Sequence, residues 1–225
     1  MIDDRISALA ALYDGYARVM ADRRFACRAG CATCCSVNVV LTTLEAEYLR
    51  RSAAWRDPAL AEKVHRAAAR PHYTPSCTTN EVAACCLAGR EPPPDPSSHG
   101  PGTCPLLDDN GLCRIYSHRP FACRSMSSTM VCSEGGEAAM DPFLFTLNLA
   151  LCQVIEHLDR SGRTGNLLDM FARPGEHEQF LVANRPLPGF LVPPEEQQRF
   201  RTAMDTILAW PVGSGRLGDF LPGPV

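Results

Sequence analysis

Residues 141–160 read DPFLFTLNLALCQVIEHLDR, and this stretch decides the fold class. Asp141 supplies a side-chain oxygen for a helix N-cap, and Pro142 suits the first helical position, where a missing N–H costs nothing. Ser161-Gly162 ends the run. Between these signals Phe143, Leu144, Phe145, Leu147, Leu149, Leu151, Val154, Ile155 and Leu158 cover most of a helical circumference. A helix apolar nearly all round is a central, buried one. Glu156 and His157 are expected to mark its solvated edge, and Cys152 to sit in the core. Thr146, Asn148 and Gln153 break the apolar run, and no stretch reaches the ~18 consecutive apolar residues a membrane-spanning helix needs.

Working outward, Ile2, Ile6, Leu9, Tyr13, Tyr16 and Met20 recur at spacings of four and three. They predict an amphipathic packing helix over 2–22, with Asp3 and Asp4 at its positive end. Thr42-x-x-Glu45 is a capping box opening a helix to about Ser52, and Asp57-Pro58 opens another that ends before Pro71. Thr78-x-x-Glu81 is a second box, with Gly89 placed to follow the helix end. A last helix from Pro194 to about Ala209 carries Phe200, Met204, Ile207 and Leu208 on one face. Ser36 to Leu41 is a short, extended apolar piece. Residues 90–103 form a proline-rich loop that can join neither a ladder nor a helix interior. The expected fold is mainly α, with long irregular Cys-rich loops and little or no sheet. It divides into a packing helix (1–24), a cysteine-cluster region (25–135), helical core completion (136–210) and a coil tail (211–225), all in one compact domain.

The 225 residues carry a net charge of −3 with 21% charged residues, so there is no basic field for nucleic acid. Between Cys104 and Cys132 three arginines face only Asp108 and Asp109, too small an excess for a nucleic-acid-binding zinc module. The outlier is cysteine, at 12 residues. Met1-Ile2-Asp3-Asp4-Arg5-Ile6 is acidic and no apolar run follows, which is not an export signal. The expected location is cytoplasmic, where dense cysteine points to metal ligands or redox chemistry rather than disulfides. The expected partners include neither nucleic acid nor membrane, and leave room for a protein partner of unknown identity.

The thiols fall into two groups. Cys27-Arg-Ala-Gly-Cys31-Ala-Thr-Cys34-Cys35 places four in nine residues, and Gly30 allows the tight turn that lets sulfurs converge. Cys104, Cys113, Cys123 and Cys132 follow at wider gaps, with Asp108-Asp109-Asn110-Gly111 as a turn that brings Cys104 and Cys113 together. Adjacent side chains diverge by about 100° on a helix and about 180° on a strand. Cys34 and Cys35 therefore suggest two metal sites, or one ligand beside one reactive thiol. Thiolates around Zn²⁺ or an iron–sulfur core leave excess negative charge, which Arg28, Arg114, Arg119 and Arg124 could offset; Arg124 and Arg119 are the favoured supporting residues. Cys77, Cys85 and Cys86 are read as small buried hydrophobes, with extra metal ligands as the alternative. Asn148 should face a polar partner or the metal site, and His118 is the histidine to test as a ligand.

Cys27-x3-Cys31-x2-Cys34-Cys35 followed by Leu41-Thr42-x2-Glu45, with Cys104-Pro-x-Leu and Cys113-x-Ile-Tyr-x2-Arg119-Pro120-x2-Cys123-Arg124 downstream, resembles the YkgJ-type cysteine-cluster family, a zinc- or iron-chelating domain. The resemblance covers about residues 25–135. It implies metal ligation by Cys27, Cys31, Cys34, Cys35, Cys104, Cys113, Cys123 and Cys132, and it names no single reaction. A relative with a similar cluster, flagellin lysine methylase, brings in methyl transfer by analogy.

Cys27-x3-Cys31-x2-Cys34 also has radical S-adenosylmethionine spacing, and Gly135-Gly136-Glu137 mimics a second element of those enzymes. Thr33 stands where they carry an aromatic, however, and the alternating strands of a barrel are missing. A Cys/His hydrolase has no motif support. The expected function is metal binding, by an iron–sulfur cluster of the 4Fe–4S type or by Zn²⁺, with iron–sulfur favoured and a redox or cluster-carrier role. The alternatives are a structural zinc scaffold that presents a binding surface, and a cluster-dependent methyltransferase-like enzyme whose catalytic residues the sequence does not identify.

Overall fold

The computed structural model describes residues 2–95, 97–132 and 138–221. In chain order its elements are α1 (Ile2–Met20), β1 (Val40–Thr42), α2 (Thr43–Arg50), α3 (Pro58–Ala68), α4 (Thr79–Leu87), α5 (Phe121–Ser125), α6 (Pro142–Leu158), β2 (Arg163–Asn166), α7 (Leu167–Met170), β3 (Val182–Ala183), α8 (Gln197–Leu208), β4 (Pro211–Val212) and β5 (Gly215–Arg216). The fold is mainly α. Its sheets are small: β1, β2 and β3 pair antiparallel in that order, and β4 pairs with β5. Among the described residues no helix is long and apolar enough to cross a membrane.

The local signals act as their chemistry requires. Thr42 accepts from the Glu45 backbone N–H while the Glu45 carboxylate accepts from Thr42 N–H, so the first capping box is closed in both directions. Asp57 and Asp141 cap α3 and α6, each with proline at the start of its helix. At α4 the Thr78 hydroxyl accepts from Glu81 N–H. Gly89 then takes a positive φ of 63° just beyond the helix end.

Two apolar clusters form. The larger joins α1, α6 and α8 through Leu9, Leu12, Leu147, Leu151, Val154, Met204 and Ile207, and reaches Leu44 and Phe121. The second lies under α2, α3 and α7, with Leu49, Leu60, Val64, Leu106, Ile115 and Leu168. Cys104 and Cys113 pack against this second cluster, while Tyr13, Tyr16 and Phe121 belong to the first.

Three expectations need correction. Glu156 and His157 are buried, at 2% and 5% exposed. Glu156 accepts from the N–H groups of Asn80 and Arg185 at 2.8 and 2.7 Å, and His157 Nδ1 accepts from Leu187 N–H at 3.0 Å. The first turn of α4 and the loop 184–187 are thereby pinned over a helix edge that periodicity alone leaves open to water. The exposed edge of α6 is instead apolar, carrying Phe145 and Leu149. The segment after 210 is not coil throughout: β4 and β5 form a hairpin, and Leu217 and Leu221 close the larger core. Residues 222–225 lie outside the described residues, as does Gly135-Gly136-Glu137.

Candidate metal centre

The first cysteine segment is built from two successive turns, Cys31 N–H to Arg28 O and Cys35 N–H to Ala32 O, both 3.0 Å. Gly30 sits within the first of them at φ 88°, a left-handed conformation that a side chain would strain. The segment is then fastened to the second group: Ser36 bridges Thr103, and Cys104 N–H donates to Cys35 O at 3.1 Å. This contact brings thiols about 70 residues apart in sequence onto one wall.

Cys104 and Cys113 face each other across the Asp108 turn. Leu107 bridges Cys113, Gly111 takes φ 74°, and the Asp108 carboxylate accepts from the N–H groups of Asn110 and Leu112 at 2.9 and 2.8 Å. Cys123 lies on α5, whose start is held by Glu45: its buried carboxylate accepts from Phe121 N–H at 2.7 Å and from the Tyr13 hydroxyl at 2.9 Å. The capping residue of α2 thus also positions the helix that carries Cys123. Cys27 is tied to the far end of the second group, since Ser128 N–H donates to its sulfur at 3.2 Å and Ala26 N–H to Ser128 O at 2.8 Å.

These elements enclose a cavity of about 780 Å³ on the seam between the two cores. Cys27, Cys31, Cys34, Cys35, Cys104, Cys113 and Cys123 line it. Cys132 is not in the wall, but its charge acts on Cys27. The mutual influences divide the eight thiols. Cys27 feels Cys31, Cys34 and Cys132, whereas Cys35 feels Cys104 and Cys123 besides Cys34, and Cys123 feels Cys104 and Cys113 besides Cys34. Cys34 and Cys35, adjacent in sequence and each shifted by the other, join the two groups. No three cysteine sulfurs among the described residues lie within 4.8 Å of one another.

Burial governs most of these thiols. It pushes Cys104 up to about 11 and Cys123 up to about 12, and raises Cys27 and Cys113. Cys34 moves the other way, down to about 6, first because Cys35 donates its S–H to it and also through a backbone hydrogen bond and the Arg119 charge. Donating that proton holds Cys35 far above the usual thiol range. Metal-free protein is therefore expected to lose stability as pH rises from about 9, the ordinary thiol value, toward about 11–12. Folded Cys104, Cys123 and Cys152 keep protons there that the unfolded chain gives up, so the slope of unfolding free energy against pH is negative. Chemical denaturation at pH 8 and pH 10.5 checks this; equal midpoints would contradict it.

The remaining residues sort by position. Arg119 lines the cavity, stacks on Tyr116 at 3.7 Å and places its charge near Cys34, Cys113 and Cys123. Arg124 also lines it, but its N–H groups go to the carbonyls of Arg119 and Ser117, and its guanidinium lies 4.2 Å from the Tyr13 ring. Arg28 is in the wall, whereas Arg114 lies outside it and pairs with Asp57. Asn148 finds its polar partner in the Tyr16 hydroxyl, which donates to it at 2.9 Å. His118 packs on Tyr48 away from the cavity, while His99 lines it. Cys152 packs against the larger core, and burial pushes its thiol up to about 12. Cys77, Cys85 and Cys86 lie outside the cavity wall. Cys86 is exposed, so the buried-hydrophobe reading fails for it.

One grouping had no sequence signal: His72, Asp169 and His177 meet with their ligand atoms within 4.8 Å. They come from three loops or short elements, and no spacing rule connects them.

Compared with known protein families, residues 26–143 match CxxCxxCC, described as "Putative zinc- or iron-chelating domain", over just over half of the chain. Neither the curated proteins nor the solved structures contain a match.

Proposed function

We propose, from the premise that this chain belongs to the CxxCxxCC family of zinc- or iron-chelating domains, that its clustered cysteines hold an iron–sulfur centre of the 4Fe–4S type with a redox or cluster-carrier role. One observation carries the choice of iron–sulfur over zinc: the thiols share one roomy cavity, yet no three sulfurs lie within 4.8 Å. A tetrahedral zinc with Zn–S bonds of about 2.3 Å needs sulfurs about 3.8 Å apart. A cluster puts iron and sulfide between its ligands and holds the thiolates wider.

The donor set fits, since soft thiolates suit iron–sulfur cores. Cys35, Cys104, Cys113 and Cys123 would hold the cluster, with Arg119 supplying positive charge beside them. When bound, such a cluster supplies one-electron chemistry. Cys31 and Cys34, both exposed, stand with Cys27 and Cys132 as the outer group from which metal or cluster can be exchanged. The half-buried inner thiols must lose protons to bind, so uptake releases protons and strengthens as pH rises.

Anaerobic purification followed by metal and sulfide analysis and a visible spectrum tests this. The expected result is a brown protein with iron and sulfide in near-equal amounts and a broad absorption bleached by dithionite. A colourless protein holding stoichiometric zinc would overturn the proposal and favour the zinc scaffold.

A further inference from the structure

We propose that His72, Asp169 and His177 form a second metal site for a divalent first-row transition ion of the Zn²⁺ class, separate from the cysteine centre. His72 follows α3, Asp169 lies on α7, and His177 precedes the short 3₁₀ turn Glu178–Phe180. His72 Nε2 lies 2.9 Å and His177 Nδ1 2.6 Å from the same oxygen, Asp169 Oδ1. The Asp169 side chain is fully buried, His72 is 8% exposed and His177 20%.

Counting protons shows why a cation belongs here. His72 Nδ1 is 2.7 Å from Arg70 O, a carbonyl that can only accept, so this nitrogen carries the proton. In a neutral imidazole, Nε2 then presents a lone pair to a carboxylate oxygen, which also only accepts. His177 Nδ1 faces that same oxygen. The three contacts need three N–H protons, and two neutral rings supply two. The second carboxylate oxygen, Asp169 Oδ2, is buried with no hydrogen-bond partner among the described residues.

A divalent cation taking His72 Nε2, His177 Nδ1 and the Asp169 carboxylate resolves both faults at once. It meets both lone pairs and neutralises the carboxylate. It also leaves His72 Nδ1–H on a backbone carbonyl, the arrangement that usually orients a metal-binding histidine. Two imidazoles and a carboxylate are a donor set for zinc or ferrous iron. The site has an open side: His72 and His177 border a shallow pocket of about 430 Å³ with Thr74 and Phe180, where water can complete the coordination. That pocket shares no lining residue with the cysteine cavity.

The test is a Co²⁺ titration of the protein with its cysteine centre as purified, followed by visible spectroscopy, for wild type and His177→Gln. We expect one equivalent whose d–d bands appear without thiolate charge-transfer absorption. In His177→Gln, whose side chain is partly exposed, affinity for that equivalent should fall about 100-fold with the fold retained by circular dichroism. Zn²⁺ should raise the thermal midpoint of wild type by more than that of His177→Gln at the same concentration. Three results overturn the proposal: no such equivalent in wild type, uptake only with thiolate bands, or equal uptake by His177→Gln. Each would make the cluster a hydrogen-bonded His–Asp–His ion pair. Because the readout is the non-thiolate equivalent, failure of the iron–sulfur reading leaves it unaffected.

Discussion

Replacing Cys34 by serine is expected to empty the outer group of metal and to weaken retention by the inner four thiols, while Cys152→Ser retains the full complement. Cys34 is the thiol closest to ionised at neutral pH, because Cys35 donates to its sulfur and Arg119 stands nearby. The thiolate is the species that binds metal, so Cys34 is the first ligand ready to capture it. It also connects the two groups of four, which means its loss disturbs both. A serine hydroxyl stays protonated at neutral pH and is a poor ligand for a soft centre. Metal per chain after desalting against a chelator is the measurement, with circular dichroism to show that the helices persist. Full metal in Cys34→Ser would mean that Cys34 neither holds metal in the outer group nor links it to the inner four. The same ionisation predicts that iodoacetamide at pH 7 labels Cys34 of the metal-free protein ahead of Cys104 or Cys123, whose thiols burial keeps protonated.

Glu45→Ala is expected to cost about 3–5 kcal/mol, the scale of removing one partner from a buried charged network. The Glu45 carboxylate accepts from Thr42 N–H at 2.9 Å, Phe121 N–H at 2.7 Å and the Tyr13 hydroxyl at 2.9 Å, and alanine leaves all three buried donors without a partner. For a chain of this size each kcal/mol moves the thermal midpoint by about 2–4 °C, so a fall of about 6–20 °C is expected. The damage should extend to the metal centre, because α5 loses the contact that fixes its first turn and with it the position of Cys123. Thermal melts of the metal-free variant, together with its iron content after reconstitution, check both halves. A midpoint within 2 °C of wild type would show that the donors find other partners.

The helical scaffold was legible because its signals are local. Capping boxes, Asp-Pro starts and the spacing of α1 and α6 each reside within a few residues, and each marks a described helix. The sheet was not legible, since β1, β2 and β3 are two to four residues long, too short to show alternation. Glu156 and His157 were misplaced because their burial comes from loops that a single helix's pattern does not encode. The cysteine groups could be read from spacing, and the turn joining Cys104 to Cys113 from its residues. The pairing of Cys35 with Cys104 and Cys123 could not be read, because it depends on a backbone contact across about 70 residues. His72, Asp169 and His177 were invisible for the same reason.

The Cys35–Cys104 contact also sets a timetable. On a ribosome that adds about 5–20 residues per second, Cys27, Cys31, Cys34 and Cys35 emerge several seconds before the partners they must meet. Closing a loop of that length costs about 4 kcal/mol in chain entropy. For those seconds the nascent chain carries a vicinal dithiol, Cys34–Cys35, that is open to oxidants and stray copper.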